Sequence, residues 1–183
     1  MKTAVRVRQV SSRKELEKAF AIRIRVFVKE QGVPGEIEMD RDDGRAVHFL
    51  AFSGENPVGT ARVVMRDKSA KIGRMAVLKS YRRRGVGKKL LKCAVAVARK
   101  QNAQNIYLHA QVPVIGFYGT MGFRCAGPVF DEAGIPHHVK DVGEWTRRQM
   151  RPQGQRERPL HVLVCRKASR RFAESSRKYR ELA

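Results

Sequence analysis

The sequence predicts an α/β fold in which a mixed, mostly antiparallel central sheet is flanked by helices and followed by a basic C-terminal extension. A length of 183 residues suits one ordinary domain. Three short apolar runs separated by turn residues are typical of an antiparallel meander. A helical pattern between two later strands requires a crossover that joins neighbouring parallel strands. We therefore expect one domain over residues 1–142 and an extension over residues 143–183, whose order the sequence does not decide.

The first elements of this fold are a strand and a helix. Val5–Val10 alternate apolar and polar side chains with a period of two, as a half-exposed strand does. Ser11 and Ser12 can cap the helix that follows. A loop is predicted from Gln31 to Arg45, because Gly and Pro mark turns on either side. The apolar residues expected to lie mostly on one side of the helix are Leu16, Ala19, Phe20, Ile22 and Ile24.

The predicted loop is rich in acids although the protein is basic. These acids are either solvated surface or a site that attracts a cationic amine, and the sequence does not decide between the two. They are Glu36, Glu38, Asp40, Asp42 and Asp43.

The middle of the chain predicts the meander and the longest helix. The helix runs from Gly87 to Gln101, and its apolar stripe should bury Leu90 and Leu91 against the sheet. The strand at Ile106–His109 should lie parallel to the strand that precedes the helix. The meander strands are His48–Phe52, Val58–Met65 and Ile72–Val77, and the later elements are a short helix at Val114–Met121 and weaker strands at Phe123–Cys125 and His138–Val142.

The composition limits the classes of partner. Because 39 basic side chains outnumber 17 acidic ones, the net charge of +22 favours anionic partners. The three cysteines lack the spacing of a disulfide framework or a zinc site, so no metal is expected and a reducing cytoplasm fits best. No apolar run approaches the roughly 18 residues that span a bilayer, so no membrane partner is expected.

The segment from Met75 to Leu90 carries the strongest functional signal. A strand runs into a glycine-containing turn that opens a helix, and unpaired N–H groups at such a turn can hold a bulky anion. The Walker loop is excluded because Arg82 replaces its first glycine, and the dinucleotide fingerprint is excluded because Leu90 replaces its third. The pattern that remains is Arg82-x-x-Gly85-x-Gly87.

This pattern resembles the signature of the GNAT superfamily of N-acetyltransferases, which lies between a strand and a long helix. By that resemblance, backbone amides from Arg84 to Lys88 hold the pyrophosphate of acetyl-coenzyme A, and the preceding strand end pairs with the pantetheine arm. The cofactor-binding residues that the resemblance implies are Met75, Ala76, Val77, Arg82, Arg83, Arg84, Gly85, Val86, Gly87 and Lys88.

Two further segments extend the resemblance. Gly116–Phe123 resembles the family's segment in which a helix carries a tyrosine beside the thioester, so Tyr118 is the implied general acid. A phenol with a pKa of about 10 is a reasonable acid toward the departing thiolate. The segments Arg23–Gln31 and Gly134–His137 resemble the ElaA-like branch of small bacterial acetyltransferases. The resemblance covers the chain from about Val5 to Val142.

The acceptor and the general base stay open. The implied acceptor is a primary amine of a small molecule, whose proton must be taken by a base as the amine attacks the thioester. No carboxylate stands in the strand Ile72–Val77, and the candidate bases are Glu30, His109 and His137. An N–H group at Met75–Val77 could face the developing oxyanion if the strand bulges there. The sequence is compatible with a homodimer but does not predict one.

Two alternatives remain. Arg23-x-x-x-Phe27 and the acids Glu38, Asp40 and Asp43 also resemble the acyl-homoserine lactone synthases, which take their acyl group from acyl carrier protein. That family lacks the pyrophosphate loop, which is intact here. The other alternative is a non-catalytic nucleic-acid-binding domain that uses the +22 charge of the chain, although no helix-turn-helix, zinc or RNA-recognition signature supports it. Contact of the basic tail with nucleic acid is possible but not favoured.

Overall fold

The structure is a computed structural model that describes residues 4–142, in which a seven-stranded sheet has helices packed against both faces. The strands are β1 Val5–Gln9, β2 Val47–Ser53, β3 Asn56–Arg66, β4 Ser69–Val77, β5 Asn105–Gln111, β6 Arg124–Glu132 and β7 Ile135–Val142. The helices are α1 Arg13–Arg23, α2 Gly35–Glu38, α3 Val86–Lys100 and α4 Ile115–Gly119, with a π-helical segment at Ile24–Glu30 and single 3-10 turns at Arg41–Arg45, Lys79–Tyr81 and Val112–Val114.

The sheet has the strand order β1-β2-β3-β4-β5-β7-β6. Neighbouring strands are antiparallel except β4 and β5, which are parallel and joined by the crossover helix α3. The predicted fold class is therefore confirmed, as are the meander and the parallel pair. The predicted extension, residues 143–183, lies outside the described residues.

The helix α3 forms the main core against one face of the sheet. Leu90, Leu91 and Ala94 are fully buried there against strand residues such as Val63 and Ile72. Complete burial of each leucine contributes about 1.5–3 kcal/mol, so the crossover helix is fixed firmly to the sheet. Its N-terminal turn is consequently held in place as well.

The opposite face is covered only in part. Ala19 and Ile22 of α1 pack with Leu50 and Phe52 of β2, while the same face of β4, β5 and β7 borders the open cleft described below. Ser12 caps α1 through its side-chain oxygen, as the sequence predicts. No helix within residues 4–142 combines the length and the apolar character that crossing a bilayer requires.

Three expectations about local structure are wrong. The segment from Gln31 to Arg45 is not only a loop, because it contains α2 and a 3-10 turn. The strand predicted at Phe123–Cys125 is the nine-residue β6, whose length is concealed by Gly127 and Pro128 in its middle, at the register shift after Ala126. Ile24 is 38% exposed, because the buried side of α1 is formed by Ala19, Ile22 and Arg23 at helical spacing and Ile24 lies outside that stripe.

Candidate active site

A wedge-shaped opening between β4 and β5 forms the centre of the site. The two strands pair only from Ser69 to Ile72 on β4, although β4 continues to Val77 and β5 continues to Gln111. Beyond Ile72 the edges of the two strands therefore separate. The main-chain groups of β4 that face this opening can pair with an extended ligand, since a strand edge without a neighbour offers N–H and C=O groups.

A β-bulge lies at the mouth of the wedge. Two residues of β4, Arg74 and Met75, stand opposite the single Ala61 of β3. Arg74 adopts φ +50°, a left-handed conformation that typically costs about 1–3 kcal/mol in a non-glycine residue. The guanidinium of Arg74 donates to Asp40 Oδ2 at 2.8 Å and to the Ile37 carbonyl at 3.0 Å, which offsets that cost. β4 therefore does bulge at Arg74 and Met75, which is the condition stated above for an N–H group of Met75–Val77 to face the oxyanion.

The turn before α3 provides free backbone donors. Gly85 has φ +77° and is the residue that precedes the helix, with no side-chain cap. The first hydrogen bond onto the Gly85 carbonyl comes from Lys89 N at 3.1 Å, so the N–H groups of Val86, Gly87 and Lys88 have no acceptor within the helix. A Cβ placed on Gly85 would meet no atom within 4 Å, which leaves room above the turn for a bulky anion.

The basic side chains around this turn have different tasks. Arg82 is nearly buried, donating to Glu30 Oε2 at 2.5 Å and to the Val77 carbonyl at 3.0 Å, so it braces the turn. Arg84 stacks on the Tyr81 ring, with 5.5 Å between the guanidinium carbon and the ring centroid. Arg83 and Lys88 line the cleft and are placed to meet negative charge there.

Tyr118 projects from α4 toward the wedge. Its hydroxyl lies 3.8 Å from Met75 Sδ, at the bulge, and its ring packs against Phe117 and Phe123. Burial raises the pKa of Tyr118 to about 12. The phenol is therefore protonated at neutral pH and able to donate a proton. Its raised pKa makes it a weaker acid than the unperturbed phenol, with a pKa of about 10, that was expected from the sequence.

His109 faces the cleft from β5. Its Nδ1 lies 2.8 Å from Glu132 Oε2, and the edge of its ring meets the Phe130 ring at a centroid distance of 4.9 Å. The hydrogen bond with His109 lowers the pKa of Glu132 to about 2, against the effect of its partial burial. A neutral His109 that donates Nδ1–H to this carboxylate presents Nε2 as a proton acceptor.

The other two candidate bases are placed differently. The Glu30 carboxylate is held by Arg82 and does not border the cleft. His137 borders the cleft, and its Nδ1 lies 2.7 Å from the Ile135 carbonyl. Burial lowers the pKa of His137, which keeps it neutral.

The acids of the predicted loop are mostly engaged by arginines, so they are not simply solvated surface; Glu38, Asp40 and Asp42 also border the cleft. Glu38 is 2% exposed and accepts from Arg23 Nε at 2.6 Å. Asp43 accepts from both Arg23 and Arg62 at 2.6 and 2.7 Å. Burial opposes ionisation of Asp40, but Arg62 and Arg74 outweigh it and lower its pKa to about 2. We call this set the arginine–acid network; its members are Arg23, Glu38, Asp40, Asp43, Arg62 and Arg74.

One cleft of about 590 Å³ joins these features. Among the residues expected from the sequence, it brings the turn before α3 and the end of β4 together with Tyr118, His109 and His137. Sequence reasoning missed Glu132 and Lys71, which also line it. Lys71 could have been found from the sequence, because its neighbours Ala70 and Ile72 are apolar core residues. Since successive residues of a strand point to opposite faces, Lys71 points to the other face.

Within residues 4–142 no group of three or more His, Cys, Asp or Glu side chains is arranged to hold a metal ion. Cys93 and Cys125 are free thiols. The groups that line the cleft include backbone donors, a phenol, imidazoles and charged side chains.

Comparisons with known proteins show which family this fold belongs to. The model of a family described as "Acetyltransferase (GNAT) domain" matches residues 9–139. The uncharacterized N-acetyltransferase YjcF of Bacillus subtilis is 40% identical over 124 residues, which cover 67% of this chain and 89% of YjcF. The crystal structure of Escherichia coli ElaA is 27% identical, with a TM-score of 0.69 over 76% of this chain and 99% of ElaA.

A more distant structure shares the fold alone. The PaiA N-acetyltransferase of Thermoplasma acidophilum, solved in complex with coenzyme A, is 15% identical. It covers 77% of this chain and 99% of its own, with a TM-score of 0.62.

Proposed function

The chain belongs to the GNAT acetyltransferase family, and from this premise we propose that it transfers an acetyl group from acetyl-coenzyme A to a primary amine of a small molecule. Members of the family are acyltransferases that use an acyl-coenzyme A. The observation that carries the proposal is the single cleft that joins the turn before α3 to Tyr118 and His109. An anion-binding turn, an open strand edge, a proton donor and a proton acceptor all border this cleft.

The coenzyme would be held mainly by the backbone. The N–H groups of Val86, Gly87 and Lys88 would bind its diphosphate, helped by the charges of Arg83 and Lys88. The pantetheine arm would pair with the open edge of β4 near Met75–Val77. Gly85 serves this arrangement by adopting a left-handed conformation without a side chain over the turn.

The thioester supplies an activated acetyl group, and residues of the chain handle the protons. The amine nitrogen forms a bond to the carbonyl carbon as the C–S bond breaks. His109 Nε2 would take the proton that the nitrogen loses, and the Tyr118 hydroxyl would donate one to the thiolate. Proton exchange with water then returns both residues to their starting states.

His109 is the base that the geometry supports best. Glu30 is engaged by Arg82, whereas His109 borders the cleft and has a carboxylate partner that fixes its tautomer. Glu132 also stabilises the imidazolium that forms when His109 accepts a proton. His137 Nδ1 is hydrogen-bonded to a carbonyl of its own strand and not to a carboxylate, so it lacks this support.

A thiol-release assay with acetyl-coenzyme A and a panel of amines tests the proposed function. We expect release that depends on the amine, with kcat reduced roughly 100-fold in both Tyr118→Phe and His109→Gln, since general acid–base groups typically contribute that much. Lys68→Met, at an exposed position outside the cleft, is the control. Absence of thiol release with every amine, together with absence of coenzyme A binding by calorimetry, would contradict the proposal.

A further inference from the structure

Lys71 occupies a distinctive place on the acceptor side of the cleft. It lies on β4, paired with Val64 on one side and Tyr107 on the other. Its neighbours Ala70 and Ile72 are buried in the α3 core, so its side chain projects from the opposite face into the cleft. This is the face from which His109 also projects, because Tyr107 and His109 are two residues apart on β5.

The ammonium group of Lys71 has no direct acidic partner. Within residues 4–142 neither a hydrogen bond nor an ion pair within 4 Å reaches it, although it is half-buried. Its main favourable charge interaction is with Glu132, whose carboxylate is already hydrogen-bonded to His109. Burial lowers the pKa of Lys71, and three neighbouring arginines act in the same direction.

Those arginines differ from Lys71 because each of them has an acid. Arg62 pairs with Asp40 and Asp43, and Arg66 pairs with Asp42. Arg74 likewise contacts Asp40 at 2.8 Å. Among these four cations Lys71 is therefore the one that no acid of residues 4–142 contacts directly, since Glu132 attracts it only at longer range. A bound anion would supply that direct contact.

Resting on the acetyl transfer proposed above, we propose that Lys71 binds the carboxylate of the acceptor, so that the acceptor is a small amine that also carries a carboxylate, as amino acids do. Lys71 pairs with Tyr107, and His109 follows two residues later on β5. His109 therefore lies about 7 Å further along the strand direction than Lys71. The flexible side chain of Lys71 can bridge that span while the acceptor's amine lies at His109. The reaction itself is unchanged, with one N–C bond formed and one C–S bond broken.

The test compares amino acids with the amines that lack their carboxyl group, such as phenylalanine with phenethylamine and alanine with ethylamine. In the unmodified protein, kcat/KM should be higher for the carboxylate-bearing member of at least one pair. Lys71→Met should lower kcat/KM for that member roughly 10- to 100-fold, which is the worth of a charge-assisted hydrogen bond, and leave its partner nearly unchanged. Lys71→Arg, which keeps the charge, should retain most of the preference, and Lys68→Met should retain all of it.

Two results would overturn this inference while leaving the proposed function intact. One is acetylation confined to amines without a carboxylate, and the other is an equal loss for both members of every pair in Lys71→Met. Coenzyme A binding by calorimetry and the melting temperature are measured for each variant. A Lys71→Met protein that binds coenzyme A normally is folded, so its acceptor preference reports on Lys71 alone.

Discussion

The two ends of the cleft differ in how their cationic side chains are paired with acids. At the coenzyme end, Arg83 and Lys88 line the cleft, and among residues 4–142 neither is paired with an acid. At the acceptor end, the arginine–acid network ties arginines and acids to one another. The first region is prepared to receive negative charge from a ligand. In the second, the arginines of the network have acids in direct contact, whereas Lys71 contacts no acid of residues 4–142 directly.

The difference shows that a high net charge does not describe a site. The +22 charge of the chain is compatible with an anion anywhere on the surface. The structure separates cations that hold the fold, such as Arg23, from cations that face the cleft, such as Lys88. Changes in the two sets should therefore affect stability in one region and ligand binding in the other.

The largest expected effect is on stability, from Arg23→Met in the network. Arg23 is fully buried, and its removal leaves Glu38 and Asp43 with less compensation in a nearly dry environment. Breaking a buried pair from one side costs about 3–5 kcal/mol. Urea denaturation should show that loss in the free energy of unfolding.

The matched control is Arg66→Met, which removes an exposed pair with Asp42 and should change stability little. Equal losses of unfolding free energy in the two variants would show that the buried network stabilises the protein no more than an exposed ion pair does. The contrast between the two ends of the cleft would then be lost.

The next effect is on ligand binding, from Gly85→Asp at the coenzyme end. The substitution places a side chain and a negative charge over the turn, so coenzyme A affinity should fall roughly 100-fold. Gly85→Ala shares the unfavourable left-handed backbone but adds no charge, so it should lose less affinity. Calorimetry measures both, and identical affinities in Gly85→Asp and the unmodified protein would contradict the site assignment.

The smallest effect concerns acid pH and the network again. The pKa of Asp40 falls from about 3.8 to about 2 on folding, so its stabilising contribution is complete above pH 3.8 and disappears as the pH falls through 2. That contribution is at most about 2 kcal/mol, and less where solvent screens the pair. Asp40→Asn should show a smaller loss of stability than the unmodified protein between pH 5 and pH 2. A parallel pH dependence in both proteins would exclude Asp40 as its source.

The turn before α3 and the helix itself could be predicted from the sequence because their signals are local. The turn before α3 lies within a few residues of Gly85, and the stripe of α3 has a helical period. The meander could also be predicted from the sequence, because β2, β3 and β4 follow one another along the chain and are separated by short turns.

The acceptor end could not be predicted in the same way, because its partners are distant in sequence. Arg74 contacts Glu38 across 36 residues, and His109 meets Glu132 across 23. The length of β6 was also hidden, since Gly127 and Pro128 interrupt its sequence and its pairing with β7 shifts register there. Only the assembled sheet brings Lys71, His109 and Glu132 to one cleft.

A crystal structure of the protein with coenzyme A tests the central claim most directly. We expect the diphosphate to accept hydrogen bonds from the N–H groups of Val86, Gly87 and Lys88, with the pantetheine arm lying along β4 in the wedge. A cofactor bound at any other surface, with this turn left untouched, would contradict the account.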